Sequence, residues 1–241
     1  MSQRAAIVTG ATSGIGQAVA RALAEEGHAL TLTARRADRL DAVVAELRGE
    51  GFAVHAVPAE LQEDGAAARV VDGHRERWGR LDVLVNNAGV GRGAAVAETT
   101  QADLDLQLAV NLRTPILLYR EAIGLLRAGA REHRNALVVN VASVTGVYGE
   151  PWLSVYAATK AGLINWTESM HRELSAEGVK STALCPGFVD TPSRDPAAGA
   201  PDPTAMMTPD DIAEAVRFLL RVSPACCVPR MELVRPGERM A

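Results

Sequence analysis

Cysteine and histidine are too sparse in this 241-residue chain to build a covalent or metal framework. The three cysteines, Cys185, Cys226 and Cys227, form no disulfide pattern, and their odd number favours a reducing compartment. The five histidines are scattered and show no paired spacing of the H-E-x-x-H kind. We therefore expect no disulfide framework and no metal site.

Long apolar runs and a large excess of charge are also lacking. No segment reaches the roughly 18 apolar residues that a membrane span needs, and the amino-terminal segment lacks the apolar core and cleavage site of a signal peptide. A net charge of −4 and a hydrophobic content of 48% argue against a polyanion-binding surface and against disorder. We expect one cytoplasmic domain over residues 1–241, without nucleic-acid or membrane partners.

Short β-rich runs alternate with longer Ala- and Leu-rich segments over most of the chain. Strands separated by helix-length segments predict an α/β fold, with a mainly parallel sheet covered by helices on both faces. The predicted strands are Ala5–Thr9, Ala29–Thr33, Val54–Val57, Leu81–Asn86, Ala136–Val141, Val179–Leu184 and Val228–Val234.

The last predicted helix has clear start signals, and an irregular segment precedes it. Thr208 can cap the helix, Pro209 suits its first position, and Asp210 and Asp211 suit the positive end of its dipole. Residues 192–207 are rich in Pro, Ala and Gly, have no periodicity and exceed an ordinary connector in length. We interpret them as a flap over a substrate.

A glycine-rich turn joins the first strand to the first helix. Glycines at this junction permit a tight turn and close approach of the backbone to a pyrophosphate, and the helix N-terminus favours its negative charge. The turn therefore predicts a nucleotide site, although a glycine trio alone also fits a purely structural turn. Its residues are Gly10, Thr12, Ser13, Gly14, Ile15 and Gly16.

The end of the second strand predicts which dinucleotide is bound. An NAD-selective site usually places an acid there, whereas this chain reads Thr33-Ala34-Arg35-Arg36. An arginine fork can hold the extra phosphate of NADP with charge-assisted hydrogen bonds. We predict NADP as the cofactor, with Arg35 as the main phosphate ligand and Arg36 or Arg39 as weaker candidates. For Arg39 alone, a solvent-facing helix position is the better interpretation.

Six motifs occur in one order along the chain, and together they resemble the short-chain dehydrogenase/reductase family over nearly its whole length. They are Thr9-Gly10-x-x-x-Gly14-x-Gly16, Asn86-Asn87-Ala88-Gly89, Asn111, Ser143, Tyr156-x-x-x-Lys160 and Pro186-Gly187. The resemblance implies a single Rossmann-like domain, a nicotinamide cofactor and a catalytic tetrad of Asn111, Ser143, Tyr156 and Lys160. It also implies cofactor contacts from Glu60, Leu61, Asn87, Ala88, Gly89, Tyr156, Lys160, Pro186, Gly187, Val189 and Thr191.

Tyr156 and Lys160 are four residues apart, so on a helix they share one face. This spacing alone is common by chance. In the context of the resemblance, Tyr156 exchanges the proton, and the Lys160 ammonium is expected to lower the pKa of the phenol from about 10. Ser143 would hydrogen-bond the substrate oxygen. Asn111 would hold a relay water, or else be only a helix-bend or packing residue.

Three departures from the family pattern concern the adenine side and the substrate pocket. Glu60 stands where many relatives have aspartate, the last strand lacks a Gly-Gly ending, and bulky Trp152 precedes Tyr156 by one turn. Arg194 in the flap is a candidate for recognising a carboxylate, or simply faces water. The expected pocket walls are Gly91, Arg92, Ser143, Thr145, Tyr148, Trp152, Tyr156 and Arg194.

The function expected from these features is an NADP(H)-dependent oxidoreductase that interconverts a carbonyl and a secondary alcohol. The alternatives are a non-catalytic NADP(H)-binding sensor and a methyltransferase, since a glycine-rich first loop also occurs in methyltransferases. A methyltransferase would leave the Tyr-Lys pair unexplained. Because related enzymes pair long helices, we expect a homotetramer or homodimer built through the helices of Asn111 and Tyr156.

Overall fold

The computed structural model describes residues 3–133, 135–192 and 201–238. Its seven strands are β1 (Ala5–Thr9), β2 (Ala29–Thr33), β3 (Val54–Ala56), β4 (Val83–Asn86), β5 (Ala136–Val141), β6 (Val179–Pro186) and β7 (Arg230–Leu233). Its helices are α1 (Gly14–Glu25), α2 (Ala37–Gly49), α3 (Ala66–Trp78), α4 (Gln101–Leu108), α5 (Thr114–His133), α6 (Ser154–Leu174) and α7 (Pro209–Arg221). No helix within the described residues is both long and apolar enough to cross a membrane.

All seven strands are parallel and form one sheet in the order β3-β2-β1-β4-β5-β6-β7. The chain starts in the middle, moves to one edge through β2 and β3, and returns to fill the other side from β4 onwards. The predicted α/β class and parallel sheet are therefore confirmed. Because the order reverses between β1 and β4, a crevice opens there at the carboxyl ends of the strands, where ligands of such folds bind.

Alternate residues of the strands pack against helices on opposite faces of the sheet. Val8 and Val85 face a core that α1, α2 and α7 complete, whereas Ile7, Leu84 and Val138 face the core of α3 and α5. A strand buried on both faces loses the polar alternation of a half-exposed strand, which is why these runs are apolar throughout. The strands are thereby fixed in register, and so are the loops that leave their carboxyl ends.

Three of the seven strands have the predicted bounds, and the other four differ from them by one or two residues at an end. β7 begins at Arg230 rather than at Val228, because Pro229 has no N–H to donate to the ladder, although its carbonyl accepts from the Ala183 N–H at 2.9 Å. β6 continues to Pro186, which lies opposite Leu233. β4 starts at Val83 and β3 stops at Ala56.

Helix α7 begins where the sequence predicted. The Thr208 hydroxyl accepts from the Asp211 N–H at 3.3 Å, and the Asp211 carboxylate accepts from the Thr208 N–H at 2.7 Å. This reciprocal capping box satisfies two N–H groups that a helix start otherwise leaves unpaired. In the segment 192–207, which we interpreted as a flap, the described residues include a short 3-10 turn, Pro203–Ala205, whereas residues 193–200 lie outside the described ranges.

Candidate active site

The glycine turn after β1 has no room for larger residues. Gly10 and Gly14 have φ values of 65° and 51°, in the left-handed region that favours glycine. A Cβ on Gly16 would lie 2.2 Å from the Gly10 carbonyl oxygen. The turn thus presents main-chain atoms that no side chain covers at the start of α1, in the crevice between β1 and β4.

Thr9 and Asn87 hold this turn against the end of β4. The Thr9 hydroxyl accepts from the main-chain N–H groups of Asn87 and Ala88 at 2.9 and 3.0 Å. The Asn87 amide donates to the carbonyls of Thr9 and Gly10 at 3.0 and 3.2 Å. Asn87, a predicted cofactor contact, therefore fixes the shape of the glycine turn.

The amino terminus of α1 opens onto the same crevice. Ser13 is extended, and within the described residues its side chain does not cap the helix. The free N–H groups and dipole of a helix start favour an anion. Thr191, in the segment after β6, lies next to the start of α1. Its methyl carbon would be 2.9 Å from a Cβ placed on Gly14. Thr191 and the glycine turn, both predicted cofactor contacts, thus meet in space.

The residues after β2 and β3 lie side by side at the crevice. The Thr33 carbonyl accepts from the Gly10 N–H at 2.9 Å, and the Ala34 carbonyl accepts from the Ala59 N–H at 3.1 Å. These bonds place Arg35 beside the glycine turn and Glu60 and Leu61 beside Ala34. Leu61 is itself held by its carbonyl, which accepts from the Thr114 hydroxyl at 2.6 Å.

Arg35 and Arg36 differ in their surroundings although both are exposed. The Arg36 guanidinium lies 3.6 Å from the Asp38 carboxylate. Arg35 forms no ion pair with any described residue. Of the two guanidinium groups, that of Arg35 is therefore more available to bind an anionic ligand.

Ser143 and Tyr156 meet at the carboxyl end of β5. The Ser143 hydroxyl accepts from the hydroxyl and the N–H of Thr145, at 2.8 and 3.2 Å. A hydrogen bond also joins the side chains of Ser143 and Tyr156. Because Thr145 occupies the acceptor side of the Ser143 oxygen, the single Ser143 proton can point to Tyr156 or to a substrate. Thr145, which we expected as a pocket wall, orients Ser143.

Lys160 follows Tyr156 by one turn of α6. Its Nζ lies 5.6 Å from the centre of the Tyr156 ring and donates to the Val141 carbonyl at 2.8 Å. A Cβ on Gly89 would lie 3.4 Å from the same Nζ. Burial lowers the pKa of Lys160 to about 8, so the amine is mainly protonated at pH 7.

The pKa of Tyr156 moves against our expectation. Burial raises it to about 12, and the hydrogen bond with Ser143 opposes that rise only in part. The expectation of a lowered pKa was wrong for this state of the protein. The Lys160 ammonium is directed at the Val141 carbonyl and lies over the ring, so it offsets too little of the desolvation of the phenolate.

Asn111 lies in a π-helical segment, Ala109–Arg113, between α4 and α5. Its amide donates to the Val90 carbonyl at 2.8 Å and to the Thr159 hydroxyl at 3.1 Å, and its carbonyl oxygen accepts from the Val90 N–H at 2.8 Å. Both amide protons are therefore engaged. The side chain holds the loop after β4 against helix α6, and its place in a proton relay stays a prediction.

Gly91 and Tyr148, two further predicted pocket residues, lie on the loops after β4 and β5. Gly91 lies against the Tyr156 ring, and Tyr148 is half-buried, which raises its pKa. Val189 pairs with Met207 and so leads the chain from β6 back towards α7. Arg194 lies outside the described residues. Among the residues that are described, no cluster of His, Cys, Asp or Glu suits a metal ion.

Two features of the site were not found from the sequence. One is Thr145 in its role as the partner of Ser143. The other is Gly146, where a Cβ would lie 2.7 Å from the Lys160 carbonyl carbon, so that glycine alone lets the loop after β5 touch helix α6. A glycine three residues after Ser143 is the only sequence signal that pointed to this close approach.

Comparisons with known proteins agree with this geometry. The chain is 31% identical over 221 residues to the 3-oxoacyl-[acyl-carrier-protein] reductase of Thermotoga maritima, covering 88% of each chain. It superposes with a TM-score of 0.87 and 30% identity on an alcohol dehydrogenase from Thermococcus sibiricus complexed with 5-hydroxy-NADP, over 98% of this chain and 97% of the other. It also superposes with a TM-score of 0.87 and 26% identity on the Brucella melitensis 3-ketoacyl-(acyl-carrier-protein) reductase complexed with NADH, over 100% and 99%. Residues 4–200 match the sequence model of the short chain dehydrogenases, and the chain therefore belongs to this family of oxidoreductases.

Proposed function

We propose that this protein is an NADP(H)-dependent oxidoreductase that interconverts a carbonyl and a secondary alcohol. The observation that carries the proposal is the meeting of Ser143, Tyr156 and Lys160 beside the glycine turn. The relatives support the same class of reaction, because two are ketoacyl reductases and one is an alcohol dehydrogenase by name.

The crevice between β1 and β4 fits a dinucleotide. Its glycine turn is packed so closely that a Cβ on Gly10 or Gly16 would collide with neighbouring atoms, which leaves bare backbone to face a pyrophosphate. The residues that would hold the dinucleotide are the turn Gly10–Gly16, Arg35, Leu61, Ala88, Gly89, Lys160, Gly187 and Thr191. When bound, the nicotinamide supplies or accepts the hydride.

The choice of NADP rests on the residues after β2. Related structures hold 5-hydroxy-NADP or NADH, so the fold itself does not select the cofactor. Here Ala34 provides no carboxylate to bind the ribose hydroxyls of NAD or to repel a phosphate. The exposed guanidinium of Arg35 can make a bidentate contact with the 2′-phosphate of NADP.

Ser143 and Tyr156 would act on the substrate oxygen. With a pKa of about 12, the Tyr156 phenol carries its proton at pH 7 and is ready to donate it to a carbonyl oxygen as hydride reaches the carbon. The Ser143 hydroxyl, held by Thr145, would donate a hydrogen bond to the same oxygen as negative charge develops there.

The experiment that tests the function is NADPH oxidation with a panel of aldehydes, ketones, 3-oxo thioesters and oxo acids. We expect turnover on at least one class, and a Ser143→Ala loss of about 10²-fold in kcat/KM on that substrate, because one oxyanion donor is removed. Fluorescence of bound NADPH, measured in parallel, reports binding. Tight binding without turnover on any class would contradict the enzyme proposal and favour a sensor.

We also propose that the protein forms homo-oligomers through α4 and α5. Leu104 and Leu108 are 37% and 40% exposed, and Leu108 lines an open groove of about 670 Å³. Its apolar lining includes Leu106, Leu108, Leu112, Ile116 and Leu117. Exposed apolar surface of this kind marks association sites. Sedimentation velocity at micromolar concentration should show a dimer or tetramer, and a monomer would contradict the proposal.

A further inference from the structure

Trp152 has a backbone conformation that bulky residues avoid. Its φ is 72°, and it is the single non-glycine residue with positive φ among those described. A left-handed conformation strains a residue with a large side chain, and it persists only where the surroundings enforce it. Trp152 lies one helical turn before Tyr156, on the segment that leads into α6.

Two contacts on the loop after β4 enforce this conformation. The Ala94 N–H donates to the Trp152 carbonyl at 2.9 Å. The indole ring lies over Gly93, where a Cβ would be 3.1 Å from its Cε3 atom. Any side chain at position 93 would push the ring away, so the glycine and the indole fit as a pair.

The same loop covers the phenol ring of Tyr156. A Cβ on Gly91 would lie 3.7 Å from the Tyr156 Cδ2 atom, which places the loop backbone against the ring. At its start the loop is fixed by Asn111, which bonds both main-chain groups of Val90. The other end of the loop is held by the carbonyl and the indole ring of Trp152.

We infer that Trp152 is a positioning residue that holds loop 90–94 against the ring of Tyr156 and so keeps water from this side of the proton donor. The inference rests on the proposed function. Trp152 acts through the loop backbone, since its contacts are to Gly93 and Ala94. A cavity of about 80 Å³ lies behind the indole, lined in part by Arg92, Asp103 and Gln107. The cavity also reaches Val155, the neighbour of Tyr156 in the chain, so removal of the indole would enlarge it on this side and admit water.

Three substitutions at position 152 distinguish the effect of the indole ring from the effect of the strained backbone. Trp152→Ala and Trp152→Gly both remove the ring, but only glycine adopts a φ of 72° without strain. We therefore expect the glycine variant to melt about 2–4 °C above the alanine variant. Both should lose about tenfold or more in kcat with little change in KM for a small ketone, because a displaced donor slows the proton transfer. Trp152→Phe keeps an aromatic face on Gly93 and should retain most of the activity.

Alkaline titration of tyrosine absorbance gives a readout besides turnover. The phenol of Tyr156 should titrate below about 12 in Trp152→Ala, since water reaches it, and comparison with a Tyr156→Phe/Trp152→Ala double variant isolates this tyrosine. An unchanged titration and unchanged kcat in Trp152→Ala would overturn the inference. Failure of the proposed function would look different, because the wild type itself would then show no turnover dependent on Tyr156.

Discussion

Replacing Tyr156 with phenylalanine is expected to lower kcat/KM for carbonyl reduction by about 10²- to 10⁴-fold, the contribution of a positioned general acid. The substitution removes one hydroxyl and keeps the ring, which supports Gly91 and lies 5.6 Å from the Lys160 amine. We therefore expect an unchanged melting temperature and unchanged NADPH affinity. Steady-state NADPH oxidation measures kcat/KM, thermal unfolding measures the melting temperature, and titration of NADPH fluorescence measures the affinity.

The matched control for this change is Tyr119→Phe. Tyr119 is 2% exposed, whereas Tyr156 is half-buried, and burial raises the pKa of Tyr119 to about 12 as well. Its hydroxyl bonds Ser181 at 3.0 Å, and its ring packs edge-on against Trp166. Removing this hydroxyl should affect stability slightly and leave kcat/KM near the wild-type value. Near wild-type turnover in Tyr156→Phe would refute the assigned proton donor.

The fold could be predicted because the signals for it are local and repeated. Each buried strand is a short apolar run, and helix α7 has start signals in its own sequence, Thr208 and Asp211. The ends of elements depended on partners outside the local sequence. Pro186, for example, extends β6 because Leu233 lies opposite it, and nothing near Pro186 in the sequence indicates that pairing.

The sequence predicted which side chains would lie close together, but not the direction in which their surroundings shift their pKa values. The four-residue spacing of Tyr156 and Lys160 is a property of any helix, and the structure places both side chains together. The direction of the pKa shift of Tyr156 was wrong because burial is set by the whole fold, and burial outweighs the nearby charge here. Likewise, the engagement of Asn111 with Val90 and Thr159 depends on elements far along the chain.

The cofactor preference should reverse when the residues after β2 are exchanged. Ala34→Asp combined with Arg35→Ala removes the guanidinium and adds a carboxylate that accepts from ribose hydroxyls and repels the 2′-phosphate. Losing a charge-assisted hydrogen bond of about 1.5–3 kcal/mol and adding repulsion should lower the NADP/NAD ratio of kcat/KM by about 10²-fold or more. Parallel assays with NADPH and NADH on one substrate measure the ratio.

Single variants show which residue carries this preference. Ala34 is only 7% exposed, so the double variant places a carboxylate in a tight position, and its melting temperature must be compared with that of the wild type. Arg35→Ala alone avoids this strain and should still lower the ratio about tenfold or more, chiefly by raising the KM for NADPH. Arg39→Ala removes the same charge from an exposed position on α2 and should leave the ratio unchanged. A ratio that is insensitive to Arg35 but falls in Arg36→Ala would move the phosphate contact to Arg36, despite the competing carboxylate of Asp38 at 3.6 Å.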